Sequence, residues 1–406
     1  MTSTPSASAS GRRSSAPSGC SPTNGSWRTP RRKRSLPSAR SWRNTLQSAT
    51  RWVESLSPWP ADGFGLDRIR ALLHELGDPQ LRYPAVHVVG TNGKSTTTRL
   101  TEALLADAGL AVGAYVSPHV RGWSERIRVR GEEADFEREI SAVRAPAERL
   151  GATQFEVITA AALAAFAKAD VDVAVVEAGL GGRQDATNVL DSRVVILTNV
   201  ALDHMDVLGD TREAIAAEKL AIVRPGVVVV LGEPEWEKLA KANGAARVEL
   251  TARSNLALAI AAAEAFLGRP VDAGAAADLT LPGRLERRSE EPLEIWDGAH
   301  NLAGVGYLLP RLPDRRYAIV ASILGDKRPA LMLEALSVLG DTLVATESRN
   351  RRSVPAAELA ELARPFFPHV EVEPDPRAAR RIALATGDAV LVTGSLYLLS
   401  ELHGHG

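Results

Sequence analysis

The feature that most constrains this chain is the run Ala85-Val86-His87-Val88-Val89, which passes directly into Gly90-Thr91-Asn92-Gly93-Lys94-Ser95-Thr96. A short, β-branched run bounded by glycine predicts a buried strand, and the stretch Lys94–Ala108 after it predicts a helix. A glycine-rich turn at such a junction curls backbone N–H groups toward an anion, and the helix N-terminus adds positive potential. Lys94 would reach terminal phosphates, and Ser95 or Thr96 would offer a hydroxyl to phosphate or Mg²⁺. The strict phosphate-loop spacing is not met, because Val88 stands where it would place the first glycine. A plain tight turn is the competing reading. Gly-Lys-Ser-Thr where a strand enters a helix favours phosphate binding.

Further strands are predicted at Ala111–Val116, Val171–Glu177, Arg193–Asn199 and Val227–Leu231. Helices are predicted at Glu156–Ala169, Thr211–Val223 and Ala252–Leu267, the last ending at Gly268. This alternation predicts a parallel sheet covered on both faces. It breaks at Leu281-Pro282-Gly283-Arg284 and restarts with strands at Leu293–Trp296, Arg316–Ser322, Thr342–Thr346 and Ala389–Thr393. The expected class is therefore α/β in two domains, 41–282 and 283–406, after a disordered basic extension over 1–40. A length of 406 residues suits two domains, at roughly 100–200 residues each.

Composition narrows the function class. Residues 1–53 hold ten basic side chains and no acidic one, which leaves 38 basic against 49 acidic residues in the remainder. The whole chain carries a formal charge of −1, so net charge gives no reason to expect a nucleic-acid or membrane partner. Cys20 is the single cysteine, which excludes a disulfide scaffold. No apolar run reaches the ~18–20 residues of a membrane span. The Ser-, Pro- and Arg-rich start reads as an organelle transit peptide, a nucleic-acid-binding arm around Arg31-Arg32-Lys33-Arg34, or a non-functional extension. The last is favoured, with a cytoplasmic location.

Several side chains fall at predicted strand ends, where open α/β sheets bind ligands. Glu177 ends a strand and precedes Ala178-Gly179-Leu180-Gly181-Gly182; a carboxylate there suits Mg²⁺. His204 follows the next strand between Asp203 and Asp206. A lone histidine of this kind is more often structural than a ligand. Lys219 lies inside a helix and in isolation reads as a surface lysine. Ser117-Pro118-His119 ends the second strand and could be only a turn. His300 sits in Trp296-Asp297-Gly298-Ala299-His300-Asn301, where Asn301 could simply cap a helix.

Taken in order, these blocks resemble the Mur ligase superfamily and, within it, dihydrofolate synthase/folylpolyglutamate synthase. The resemblance runs from about Trp52 to Leu402 through GFGLDRI, HVVGTNGKST, YVSPH…ERI, VVEAGLGGRQDATN, TNVALDHMDVLG, AAEKLAI, LPGRLE, WDGAHN, ILGDKRP and VTGSLYLLSEL. It implies a phosphate-loop ATPase domain followed by a smaller Rossmann-like domain. The implied activity is ATP-dependent ligation of L-glutamate to dihydropteroate or reduced folate (poly)glutamates. The implied cofactor is Mg²⁺ at two sites held by Ser117, Glu177 and His204, with Lys219 carbamylated. ATP contacts are implied for Thr91, Asn92, Gly93, Lys94, Ser95, Asn255, Arg284 and Asp297. Pteroate contacts are implied for Gly63, Phe64, Gly65, Thr153, Gln184, Asp185 and Ala186. Lys94, Lys219 and His300 carry the implied catalytic roles, in a chain expected to be a monomer. The sequence departs from the family pattern at Ser95, where glycine is usual, and at Leu220, which is bulkier than usual. It also departs between Pro225 and Asn255, where a β-rich segment is expected to be missing. Another amide ligase of the superfamily, or a nucleotide-binding relative without ligase activity, are the alternatives.

Overall fold

The computed structural model describes residues 49–60, 63–277 and 279–404; the basic extension expected over 1–40 lies outside them. Two sheets organise the described chain. The first has eight strands in the order β4-β3-β2-β5-β1-β6-β7-β8. These are β1 (Ala85–Val89), β2 (Val112–Tyr115), β3 (Ile127–Val129), β4 (Glu132–Glu133), β5 (Val173–Glu177), β6 (Ser192–Leu197), β7 (Val228–Leu231) and β8 (Arg247–Leu250). Six neighbouring strands pair in parallel, while β3 pairs antiparallel with β2 and β4 antiparallel with β3. The second sheet has the order β13-β12-β11-β14-β10-β9. It comprises β9 (Glu286–Glu290), β10 (Leu293–Trp296), β11 (Ala318–Ala321), β12 (Thr342–Ala345), β13 (His369–Val372) and β14 (Ala389–Thr393). Only β9 is antiparallel there.

The central strands are apolar on both sides because helices cover both faces. In β1, Val86 and Val88 pack with Leu100, Leu104 and Leu105 of the helix Lys94–Asp107 and with Leu258 of the helix Asn255–Leu267. Ala85 points the other way, into a cluster with Val157, Ile158 and Leu163 of the helix Gln154–Lys168. Full burial of such side chains contributes about 1.5–3 kcal/mol each. The helix Gln154–Lys168 starts where it does because Thr153 and Glu156 form a reciprocal capping box. The helix Asn255–Leu267 ends at Gly268, in the left-handed region with φ +69°.

Five strands escape the sequence reading, and each carries charge. β3 is Ile-Arg-Val, β4 is Glu-Glu, β8 is Arg-Val-Glu-Leu, β9 is Glu-Arg-Arg-Ser-Glu and β13 is His-Val-Glu-Val. β4, β8, β9 and β13 stand at the sheet edges, where charged side chains discourage pairing with other chains. β8 lies in the stretch before Asn255 where a β-rich segment is expected to be missing. The segment 225–255 holds the helix Glu237–Ala242 and then β8, paired parallel to β7. No helix among the described residues is long and apolar enough to cross a membrane.

Candidate active site

In the first sheet the chain leaves β1 for one side and returns to the other, so β1 lies at a topological switch point. The loops after β1, β2, β5, β6 and β7 all emerge at the carboxyl edge. The loops after β10, β11 and β14 emerge at the carboxyl edge of the second sheet. Residues from both edges line one cavity of about 710 Å³, including Lys94, Ser117, Glu177, His204, Lys219, Asn255, Arg284, Asp297 and His300.

The loop after β1 is built for close approach. Gly90 has φ +148°, and a Cβ there would lie 1.8 Å from Thr198 Oγ1. Gly93 has φ +79°, and a Cβ there would lie 2.5 Å from Asn255 Oδ1. Thr91 and Asn92 are tied to the loop after β6. The Thr91 N–H donates to the Asn199 carbonyl at 3.0 Å, and the Asn92 N–H donates to Asn199 Oδ1 at 3.1 Å. Lys94 folds back to donate to the Thr91 carbonyl at 3.4 Å.

Glu177, buried at the end of β5, accepts the Ser117 N–H at 2.9 Å and a hydrogen bond from Ser95. Burial raises its pKa, and Lys94 together with those donors opposes the rise. The carboxylate, the Ser95 hydroxyl on it and the hydroxyl-bearing Ser117 held by its N–H offer hard oxygen donors. Mg²⁺ takes few protein ligands and fills its octahedron with water and substrate phosphate. The donor set therefore fits this ion, although no three His, Cys, Asp or Glu side chains converge among the described residues. His204 sits on the loop after β6 with φ +51°, its Nε2 4.0 Å from Asp203 Oδ1. Burial lowers its pKa to about 4 against the pull of Asp203, so the ring is neutral at pH 7.

Lys219 is not a surface lysine. Its side chain is buried and donates to the Gly90 carbonyl at 2.9 Å. Burial, reinforced by Lys94, brings its pKa down to about 7. Gly182 makes this packing possible, since a Cβ there would lie 2.6 Å from the Lys219 carbonyl oxygen.

The second sheet supplies the turn after β10. Asp297 accepts the Leu285 and Ala299 N–H groups at 2.9 and 2.8 Å, and burial raises its pKa against the nearby Arg284. His300 is held by Nδ1 donating to the Gly298 carbonyl at 2.9 Å, which leaves Nε2 as the acceptor. Burial lowers its pKa despite Asp203. Asn301 caps the helix Leu302–Leu308 through the Gly304 N–H. It also pairs with Asn92 in a reciprocal amide bond of 3.1 and 3.2 Å and donates to Asp203 Oδ2 at 2.9 Å. Every hydrogen-bonding position of this side chain is filled.

Three participants were not singled out from the sequence: Asp203, Lys327 and the bridging role of Asn301. Lys327 follows β11, is 4% exposed and forms an ion pair with Asp203. Burial pushes Asp203 upward, but Lys327 and His204 overcome it and hold the carboxyl well below the usual range. The Gly-Asp-Lys run at a strand end was the available signal.

None of the seven residues expected on the pteroate side lines this cavity. Thr153 is spent on the capping box. Asp185 accepts the Leu180 and Thr187 N–H groups at 2.7 and 3.0 Å, and Ala186 is buried in the core. Gln184 is exposed. Phe64, between Gly63 and Gly65, is 42% exposed and meets Trp59 edge-on at 5.5 Å. This segment lies against the start of the helix Gln154–Lys168, through Gln154 N–H to the Ser57 carbonyl at 2.9 Å and Arg68 to Glu156 at 2.8 Å.

Two family models match the chain. The Mur ligase middle domain matches residues 88–265, and the Mur ligase glutamate ligase domain matches residues 283–396. The dihydrofolate synthase/folylpolyglutamate synthase of Mycobacterium tuberculosis is 33% identical over 381 residues, covering 74% of this chain and 78% of its own. The Escherichia coli FolC structure in complex with DHPP and ADP superposes with a TM-score of 0.80 at 31% identity, covering 88% of this chain and 96% of that one. The bifunctional folylpolyglutamate synthase/dihydrofolate synthase from Yersinia pestis, complexed with AMPPNP and Mn ion, superposes with a TM-score of 0.78 at 31% identity, covering 88% and 97%.

Proposed function

The chain belongs to the dihydrofolate synthase/folylpolyglutamate synthase family of Mur ligases and is an ATP-dependent ligase; from that premise we propose that it joins L-glutamate to dihydropteroate and to reduced folate (poly)glutamates. The observation that carries this reading is the shared cavity. The phosphate loop and the Asp297–Asn301 turn line it together and are hydrogen-bonded to each other through Asn92 and Asn301.

The reaction runs in two steps. The acceptor carboxylate attacks the γ-phosphorus of ATP, giving an acyl phosphate and ADP. The amine of L-glutamate then attacks the acyl carbon, and phosphate leaves with the amide formed. Positioning and charge stabilisation are the protein's contribution. Backbone N–H groups of 93–95 and the Lys94 ammonium face the phosphates. Asn255, Arg284 and Asp297 hold the rest of the nucleotide. His300 Nε2 is an unprotonated acceptor placed to receive a proton from the attacking amine. Mg²⁺ on Ser95, Ser117 and Glu177 would neutralise phosphate charge, with a second site beside His204.

Lys219 supports the second site as a carbamate. Its amine is half neutral near pH 7, and a neutral amine adds CO₂ to give a carbamate anion and a proton. Incubation with isotope-labelled bicarbonate should give a carbamate NMR signal that a Lys219→Met variant lacks. The pteroate end of the acceptor lies toward Gly63–Gly65 and the loop 184–186, where exposed Phe64 offers a ring face. Because one chain supplies both halves of the cavity, the unit of function is a monomer.

The test is phosphate release by the purified chain with Mg-ATP and L-glutamate, comparing dihydropteroate with tetrahydrofolate. Release with both acceptors is expected. ATP binding with no glutamate-dependent release for either would contradict the proposal.

A further inference from the structure

A second, smaller cavity of about 60 Å³ adjoins the first, and Ser95, Pro118 and Arg284 line both. That volume admits a carboxylate and the carbon that carries it. Its wall holds four guanidinium groups, Arg99, Arg121, Arg128 and Arg284. Four carboxylates answer them, with Asp297 beside Arg284. Glu102 is shared by Arg99 and Arg128 at 2.7 and 3.2 Å. Glu133 pairs with Arg121 at 3.0 Å. Glu125, in the wall itself, accepts the Val120 and Arg121 N–H groups at 3.2 and 2.8 Å. Donors, more than net charge, are left over. Arg99, only 16% exposed, makes this one ion pair among the described residues, so the rest of its donor fork is unused. Planar forks of this kind bind carboxylates in bidentate fashion.

We propose that this pocket holds the free α-carboxylate of a glutamate already attached to the acceptor. The inference rests on the ligase reading above and deepens it by separating the two acceptor classes. In a glutamylated acceptor the reacting γ-carboxyl and the free α-carboxyl are four carbon–carbon bonds apart, roughly 5 Å. A γ-carboxyl brought to the phosphate loop therefore carries its α-carboxylate to the neighbouring cavity past Ser95. Dihydropteroate has only its reacting carboxylate and leaves the pocket empty. The pocket thus serves chain extension and not the first ligation.

The test measures KM for both acceptors, for ATP and for L-glutamate in the unchanged protein and in Arg121→Ala, whose side chain is half exposed. The expected result is a rise of about tenfold in KM for the monoglutamylated acceptor, the size of one lost charge-assisted hydrogen bond. The other three values should stay unchanged. A second arm needs no variant: an acceptor with an α-carboxamide should be used about tenfold less well than the α-carboxylate by the unchanged protein, and equally well by Arg121→Ala. Equal shifts for both acceptors, a shift in KM for L-glutamate instead, or no preference for the α-carboxylate would overturn the inference. Turnover of dihydropteroate alone would also overturn it while leaving the ligase reading intact. Turnover of neither acceptor would remove both.

Discussion

Lys219 shows how one buried side chain ties chemistry to stability. Its pKa is about 7 in the folded chain and near 10.4 when unfolded. Between those values the unfolded chain binds more protons, so stability contributed through this group rises with pH, at up to about 1.4 kcal/mol per pH unit. Below pH 7 both states are protonated and the full burial cost stands. A Lys219→Met variant should therefore be more stable than the parent at pH 6 in CO₂-free buffer, with the gap closing between pH 7 and 10. Urea midpoints across that range would show it, and a constant gap would count against a buried, depressed lysine. Lys94 is a different case, since it acts on substrate charge. Lys94→Ala should lower ATP turnover by at least about a hundredfold while leaving the thermal midpoint close to the parent's. Turnover like the parent's would contradict its assignment to the phosphates.

Elements fix where these side chains stand, and glycines decide how closely the elements meet. Gly182→Ala would drive a Cβ into the Lys219 and Glu218 carbonyl oxygens, at 2.6 and 2.7 Å, and backbone there has little room to move. A loss of about 1–3 kcal/mol is expected. Gly306, in the exposed face of the helix Leu302–Leu308, has nothing within 4 Å of a Cβ and no positive φ. Gly306→Ala should stabilise by about 0.5–1 kcal/mol, and differential scanning of the two variants should move in opposite directions. Elements of this sort were legible in sequence to the degree that they are buried. β1 was readable residue for residue because a strand covered on both faces is nearly all apolar, and only His87, satisfied by Thr187, departs from that. The charged edges β4, β8, β9 and β13 were not, because their side chains face solvent and only hydrogen bonds to a neighbour make them strands. The site divides the same way. Lys94 and Glu177 stand where motif and strand end coincide. Asp203 and Lys327 become partners only when two sheets separated by more than a hundred residues meet, and no local pattern records that meeting.

At the scale of the molecule, that meeting is the functional unit. Asp203, Lys327, Asn301 and Asn92 connect the loops of one sheet to the loops of the other. Lys327→Met would leave Asp203 buried without its ammonium, and a loss of about 3–5 kcal/mol is expected. Adding Asp203→Asn should restore part of it, because the uncompensated charge is gone; denaturant unfolding of both variants gives the comparison, and a double variant no better than the single would contradict the pairing. The central claim is that both halves act on one acyl phosphate. The measurement that tests it most directly follows an oxygen label placed in the acceptor's carboxylate. The account predicts one labelled oxygen in the phosphate released during glutamate ligation, with none in the nucleotide. Label appearing in AMP, or phosphate released without label, would contradict it.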